Sequence, residues 1–69
     1  MENSLNYRQN EVLIFLNKKN NSISIKQYSK MFNISRSTSI RDIRVLLNLN
    51  MVRKIKFKGQ RETFYIINK

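Results

Sequence analysis

The stretch Ser35–Ile43, SRSTSIRDI, sets two arginines, a threonine and three serines immediately ahead of the aliphatic-rich run Val45–Leu49. Ser35 can accept a hydrogen bond from the amide of Ser37 or Thr38, so it reads as an N-cap, with a helix starting at Arg36. Helical spacing then gives that helix a buried stripe of Ser39, Ile43, Leu46, Leu47 and Leu49. Arg36, Ser37, Ile40, Arg41 and Arg44 fall on the outward or flanking surface. Asn50, a residue that tolerates the left-handed conformation, ends the helix. One face is made for a core and the other for a negatively charged partner.

Working back from this helix, ISIKQYSKMFN (23–33) gives a short strand or extended entry at Ile23 and then a helix over about 25–32. Ser24 followed by Gln27 is a capping box, and Ile25, Tyr28, Met31 and Phe32 mark its apolar face. Asn33 and Ile34 leave only a tight connection to the next helix. Further upstream, Asn6 with Gln9 predicts another cap, opening a helix over about 6–19 with Tyr7, Val12, Leu13, Phe15 and Leu16 as apolar positions. Lys18 and Lys19 sit where the helix dipole favours cations. Beyond Asn50, residues 52–67 alternate apolar and charged on both sides of Lys58-Gly59-Gln60, the pattern of a β-hairpin with a basic tip. Phe64 and Tyr65 alternate sides there, one directed to the core and the other partly exposed.

The chain has 69 residues and a net charge of +10, with no cysteine, histidine or proline. That length supports one domain, 1–69, near the lower limit for a core without disulfide or metal. Without Cys or His, a zinc site, a thiol nucleophile and a histidine base are excluded. Glu2, Glu11, Asp42 and Glu62 are scattered and form no paired-carboxylate or ligand spacing, so the expectation is no enzyme, no catalytic residue, no metal and no cofactor. No apolar run reaches membrane-spanning length and the first residues do not resemble a secretion signal, giving an expectation of a cytoplasmic protein without a membrane partner. Abundant Asn, Ile and Lys, with no Ala, suit AT-rich codons and point to a low-GC genome or mobile element. Between residues 26 and 61 ten Lys and Arg face a single acid, Asp42. Such an excess points to nucleic acid.

Three helices, the last two tightly joined, and a hairpin describe an α+β winged helix-turn-helix. The segment from about Ile23 to Ile67 also resembles the winged helix-turn-helix of DeoR-type repressors and of the C-terminal segment of many Fic-family proteins. Ser35, Thr38, Arg41, Asp42 and Ile43 match the Ser-x-x-Thr-x-x-Arg-Asp-aliphatic pattern that opens the family's recognition helix. That resemblance implies a DNA-facing Arg41. Asn50 departs from the family's usual Gly, and Ser29 from a frequent Ala. The sensor domain of the repressors and the enzyme domain of Fic proteins have no counterpart in these residues, so their activities do not carry over.

The leading expectation is a small regulator reading double-stranded DNA. Arg36, Arg41 and Arg44 would reach guanine edges or phosphates, Ser37 would offer a short hydrogen bond, and Ile40 would touch a thymine methyl or extend the core. Thr38 has two readings, a phosphate contact or a local backbone bond. Asp42 is structural, orienting Arg41 or bonding near the second helix. Lys56, Lys58, Gln60 and Arg61 form a wing over phosphates or a minor groove, and the first helix, with Leu5, Tyr7 and Leu16, is a candidate homodimer surface. The alternatives are a single-stranded-DNA-binding or replication accessory protein, stacking bases on Tyr28, Phe57, Phe64 or Tyr65, and a protein-interaction adaptor.

Overall fold

The computed structural model describes residues 5–18 and 21–68. Its elements run α1 (Tyr7–Asn17), β1 (Ser22–Ser24), α2 (Ile25–Phe32), α3 (Arg36–Asn48), β2 (Val52–Lys56) and β3 (Thr63–Ile67). Each helix starts where a side chain can satisfy a free backbone amide. Asn6 accepts from the Gln9 amide at 2.8 Å while the Gln9 side chain accepts from the Asn6 amide at 2.9 Å. Ser24 and Gln27 repeat this reciprocal arrangement at the start of α2. Ser35 accepts from the Thr38 amide at 3.2 Å.

The helix ends are equally local. Asn33, at φ 54°, closes α2, and the Ile34 amide donates back to the Ser29 carbonyl at 3.0 Å. Asn50, at φ 59°, lies just past α3, where the Asn50 and Met51 amides donate to the Leu47 and Leu46 carbonyls. That bond pair is the Schellman closure, which favours Asn or Gly in the left-handed position. α1 stops at Asn17, with Lys18 capping it, while Lys19 lies outside the described residues.

The three strands form one antiparallel sheet in the order β1-β3-β2, so the extended segment at Ile23 completes the sheet started by the hairpin. Ile23 pairs with Tyr65, and Val52 with Ile67. Every element but β3 sends a buried side chain to the core: Val12 and Leu16, Ile23, Tyr28, Ile43 and Leu46, and Val52. Tyr65 and Ile67 close it from β3.

Two assignments change here. Leu16 is fully buried and cannot belong to a dimer surface, whereas Tyr7 is largely exposed. Met31 is exposed and is not part of the inward face of α2, which rests on Tyr28 with Phe32 beside it. Where α2 and α3 pack together, Ser29 and Ser39 bring their hydroxyls to 2.6 Å, with the Ile25 and Ser35 carbonyls also within bonding reach. Small side chains let the helices approach, and the hydroxyls find partners inside the contact.

Candidate nucleic-acid interface

The orientation of α3 depends on Asp42. Its carboxylate accepts from Arg8 Nε at 2.7 Å, from Tyr28 Oη at 2.8 Å and from Asn6 Nδ2 at 3.1 Å. Gln9 Nε2 donates to the Asp42 backbone carbonyl at 3.1 Å. One acid thereby ties α3 to α2 and to the N-terminal turn of α1. Burial alone would push the Asp42 carboxyl up, but hydrogen bonds from Arg8, Tyr28 and Asn6, with the Arg8 charge, outweigh it and hold it below the usual carboxylate range. Burial, then the bond to Asp42, pushes the Tyr28 phenol up, so Tyr28 stays a donor.

Asp42 is the sole acid among residues 26–61, and it is buried and paired with Arg8 rather than Arg41. The outward surface of α3 therefore carries its arginines without a neutralising carboxylate from its own helix. Ser39, Asp42, Ile43 and Leu46 are buried on one side, and Ser37, Arg41, Arg44 and Asn48 are exposed on the other. Ile40 and Thr38 flank this stripe, each half-buried. At the start of α3 the Thr38 hydroxyl accepts from Ser35 Oγ at 3.0 Å and the Thr38 amide donates to the same oxygen at 3.2 Å.

Arg36, at the start of α3, faces a different space. It lines an open cleft of about 740 Å³ with Lys26 and Lys30 of α2, and with Arg61, Glu62 and Thr63 of the wing. Arg36 and Arg61 are thus brought together from positions 25 residues apart, while Lys56, Lys58 and Gln60 lie exposed on the wing outside the cleft lining. Lys26 and Lys30 were not singled out as site residues by sequence reasoning. Their one-turn spacing on α2, around the opposite side from Tyr28, is the signal that marks them. The wing turns through Lys58-Gly59, with the Gln60 amide donating to the Phe57 carbonyl at 3.0 Å. Gly59 has φ +85° there, a conformation open to Gly at little cost.

A tight α2–α3 pair with an exposed cationic stripe on the second helix, and a basic hairpin beside it, is the helix-turn-helix arrangement with a wing. Residues 8–66 match the HTH_11 family model, an HTH domain. The chain belongs to the HTH_11 family. HTH_11 domains are DNA-binding winged helices and not enzymes. No curated protein matches the chain in sequence.

In fold, this HTH_11 domain is similar to the adhesin competence repressor AdcR of Streptococcus pyogenes, with TM-score 0.84 and 21% identity over 96% of this chain and 48% of that one. It is similar to reduced HlyU of Vibrio cholerae, with TM-score 0.77 and 22% identity over 93% of this chain and 63% of that one. A cysteine-to-serine mutant of ZitR from Lactococcus lactis gives TM-score 0.83 and 11% identity over all of this chain and 47% of that one. The chain spans about half the length of AdcR and ZitR. Together with the HTH_11 match, these likenesses secure the winged helix; they do not reach the finer resemblance to DeoR-type or Fic-family proteins. Among the described residues, no helix is long and apolar enough to cross a membrane.

Proposed function

We propose that the protein is a transcriptional regulator that reads double-stranded DNA with α3 in the major groove. The observation that carries this reading is the exposed Ser37–Arg41–Arg44 stripe beside a cleft where Arg36, Lys26, Lys30 and Arg61 converge. A major groove admits a helix, and arginine pairs with the O6 and N7 of guanine. Arg41 and Arg44 are assigned to base edges, Ser37 to a nearby hydrogen bond, and Ile40 to a thymine methyl. Thr38, held by Ser35, is left to position the helix start. Arg36, Lys26, Lys30 and Arg61 hold phosphates, as do Lys56, Lys58 and Gln60 along the wing. The match of Ser35–Ile43 to the DeoR-type pattern supports the same role for α3.

A homodimer would present two such helices to half-sites about one helical turn apart. Tyr7 and Ile14, one above the other on the exposed side of α1, are its proposed contacts. AdcR, a repressor by name, shares this fold and supports the regulatory reading.

The test is fluorescence anisotropy of labelled duplexes of varied sequence at several salt concentrations. Affinity should fall with salt by a slope of about −0.9 per neutralised phosphate, and some sequences should survive higher salt than others. Equal affinity for every duplex would remove the sequence-reading claim. Full function retained in an Arg36→Ala, Arg41→Ala double variant would favour an adaptor instead.

A further inference from the structure

The two faces of the wing differ. Side chains alternate along a strand, and the register sets Val52, Lys54, Lys56, Thr63, Tyr65 and Ile67 on the side of the helices. Tyr65 and Ile67 pack on the core there. The reverse face carries Ile55 opposite Phe64 and Arg53 opposite Ile66, with Phe57 one residue past the end of β2. Phe57 meets Phe64 edge to face at 5.2 Å between centroids, yet remains 43% exposed. Ile55, Phe57, Phe64 and Ile66 therefore make an apolar, partly aromatic surface apart from the core.

The charges around this surface select its occupant. Arg53 shares the face opposite Ile66, whereas Lys56 pairs with Thr63 and belongs to the other face. A second copy docking here would press cation against cation. A strand of nucleic acid supplies both a flat ring for Phe57 and a phosphate for Arg53, the combination used by single-strand binding surfaces. Tyr28 and Tyr65 are not available for the task, since Tyr28 is fully buried on Asp42 and Tyr65 packs on the core.

We propose that the far face of the wing binds single-stranded DNA, with an unpaired base stacked on Phe57 and a phosphate held by Arg53. This second surface lies apart from the α3 stripe, so the protein can engage unpaired bases independently of duplex reading.

The experiment titrates a short oligothymidylate carrying one 2-aminopurine and, separately, a duplex. Stacking on Phe57 should quench the 2-aminopurine. Phe57→Ala should weaken single-strand binding about tenfold while changing duplex affinity less than about twofold, and Phe57→Tyr should restore the single-strand value. Arg41→Ala should do the converse, so loss of the duplex reading leaves this test intact. Absence of quenching, or equal weakening of both ligands by Phe57→Ala, overturns the proposal. A dimer in sedimentation that Phe57→Ala dissociates would also overturn it, assigning the face to a second copy.

Discussion

Arg41 and Asp42 are adjacent in sequence and sit in opposite environments. Asp42 is buried, gathers donors from Arg8, Tyr28 and Asn6, and fixes how α3 lies against α1 and α2. Arg41 is exposed on the surface that this fixation presents. An exposed acid at 42 would form a screened ion pair with Arg41 worth under about 1 kcal/mol. Buried, it instead holds the scaffold and leaves Arg41 free for a partner. The difference separates stability from recognition on a single helix, and substitutions on its two sides should separate them experimentally.

The largest effect belongs to the buried side. Asp42→Ala leaves the buried Tyr28 hydroxyl without its acceptor, and should lower stability in urea unfolding by about 2 kcal/mol or more. That is a large share for a domain this small. Duplex binding should fall only as far as the domain unfolds, and should return in a stabilising osmolyte. A variant that stays folded yet fails to bind would contradict the separation.

The same carboxylate gives a pH dependence of definite sign. The folded state binds the Asp42 proton less tightly than the unfolded chain, so protonation favours unfolding. Its contribution should be complete above the ordinary carboxylate value of about 4 and disappear as pH falls through the lower folded value. Urea midpoints of wild type and Asp42→Asn measured down the acid limb should converge. A gap that persists in strong acid would mean that shape, not charge, holds the three helices.

On the exposed side, Arg41→Ala should leave the urea midpoint within about 0.5 kcal/mol of wild type. Its affinity for the preferred duplex should drop by about tenfold or more, with weaker discrimination at one base pair. Lys26→Ala or Lys30→Ala should act more mildly, lowering all duplex affinities together and reducing the salt slope by about 0.9. If either lysine variant changed sequence preference, the cleft would be reading bases and the division between stripe and cleft would need redrawing.

How much of this could be seen in the chain alone follows the range of each interaction. The caps of Asn6, Ser24 and Ser35 involve partners three residues away, and the SRSTSIRDI pattern resolved the inward and outward sides of α3. Of the Asp42 hub, the structural role and a bond near the second helix were legible, and Tyr28 makes that bond, but Asn6 and Arg8 were not, because they lie 36 and 34 residues off. The clue was only that a lone acid stood beside a core isoleucine in a basic segment. Leu16 was misplaced because Val12–Leu16 is an unbroken apolar run. Five consecutive apolar residues cover every side of a helix, so periodicity could not choose which faced inward. The cleft was hidden for the same topological reason: α2, the start of α3 and the wing meet only when the sheet closes.

The smallest expected effect concerns Asn50, where both regions depend on one backbone conformation. Its φ of 59° is left-handed, and its carbonyl accepts from Asn68 Nδ2 at 2.9 Å while its amide closes α3. Asn50→Gly keeps those backbone bonds and relieves the side chain's strain, at the cost of a freer unfolded chain. The two opposing terms should leave urea stability within about 0.5 kcal/mol of wild type and duplex affinity unchanged. Asn50→Ala has no such compensation and should lose about 1 kcal/mol. The pair therefore asks whether the turn serves only to join helix to wing. If Asn50→Gly kept its stability but lost duplex affinity, the angle of the wing against α3 would itself be part of recognition, and the stripe and the wing would have to be treated as one surface.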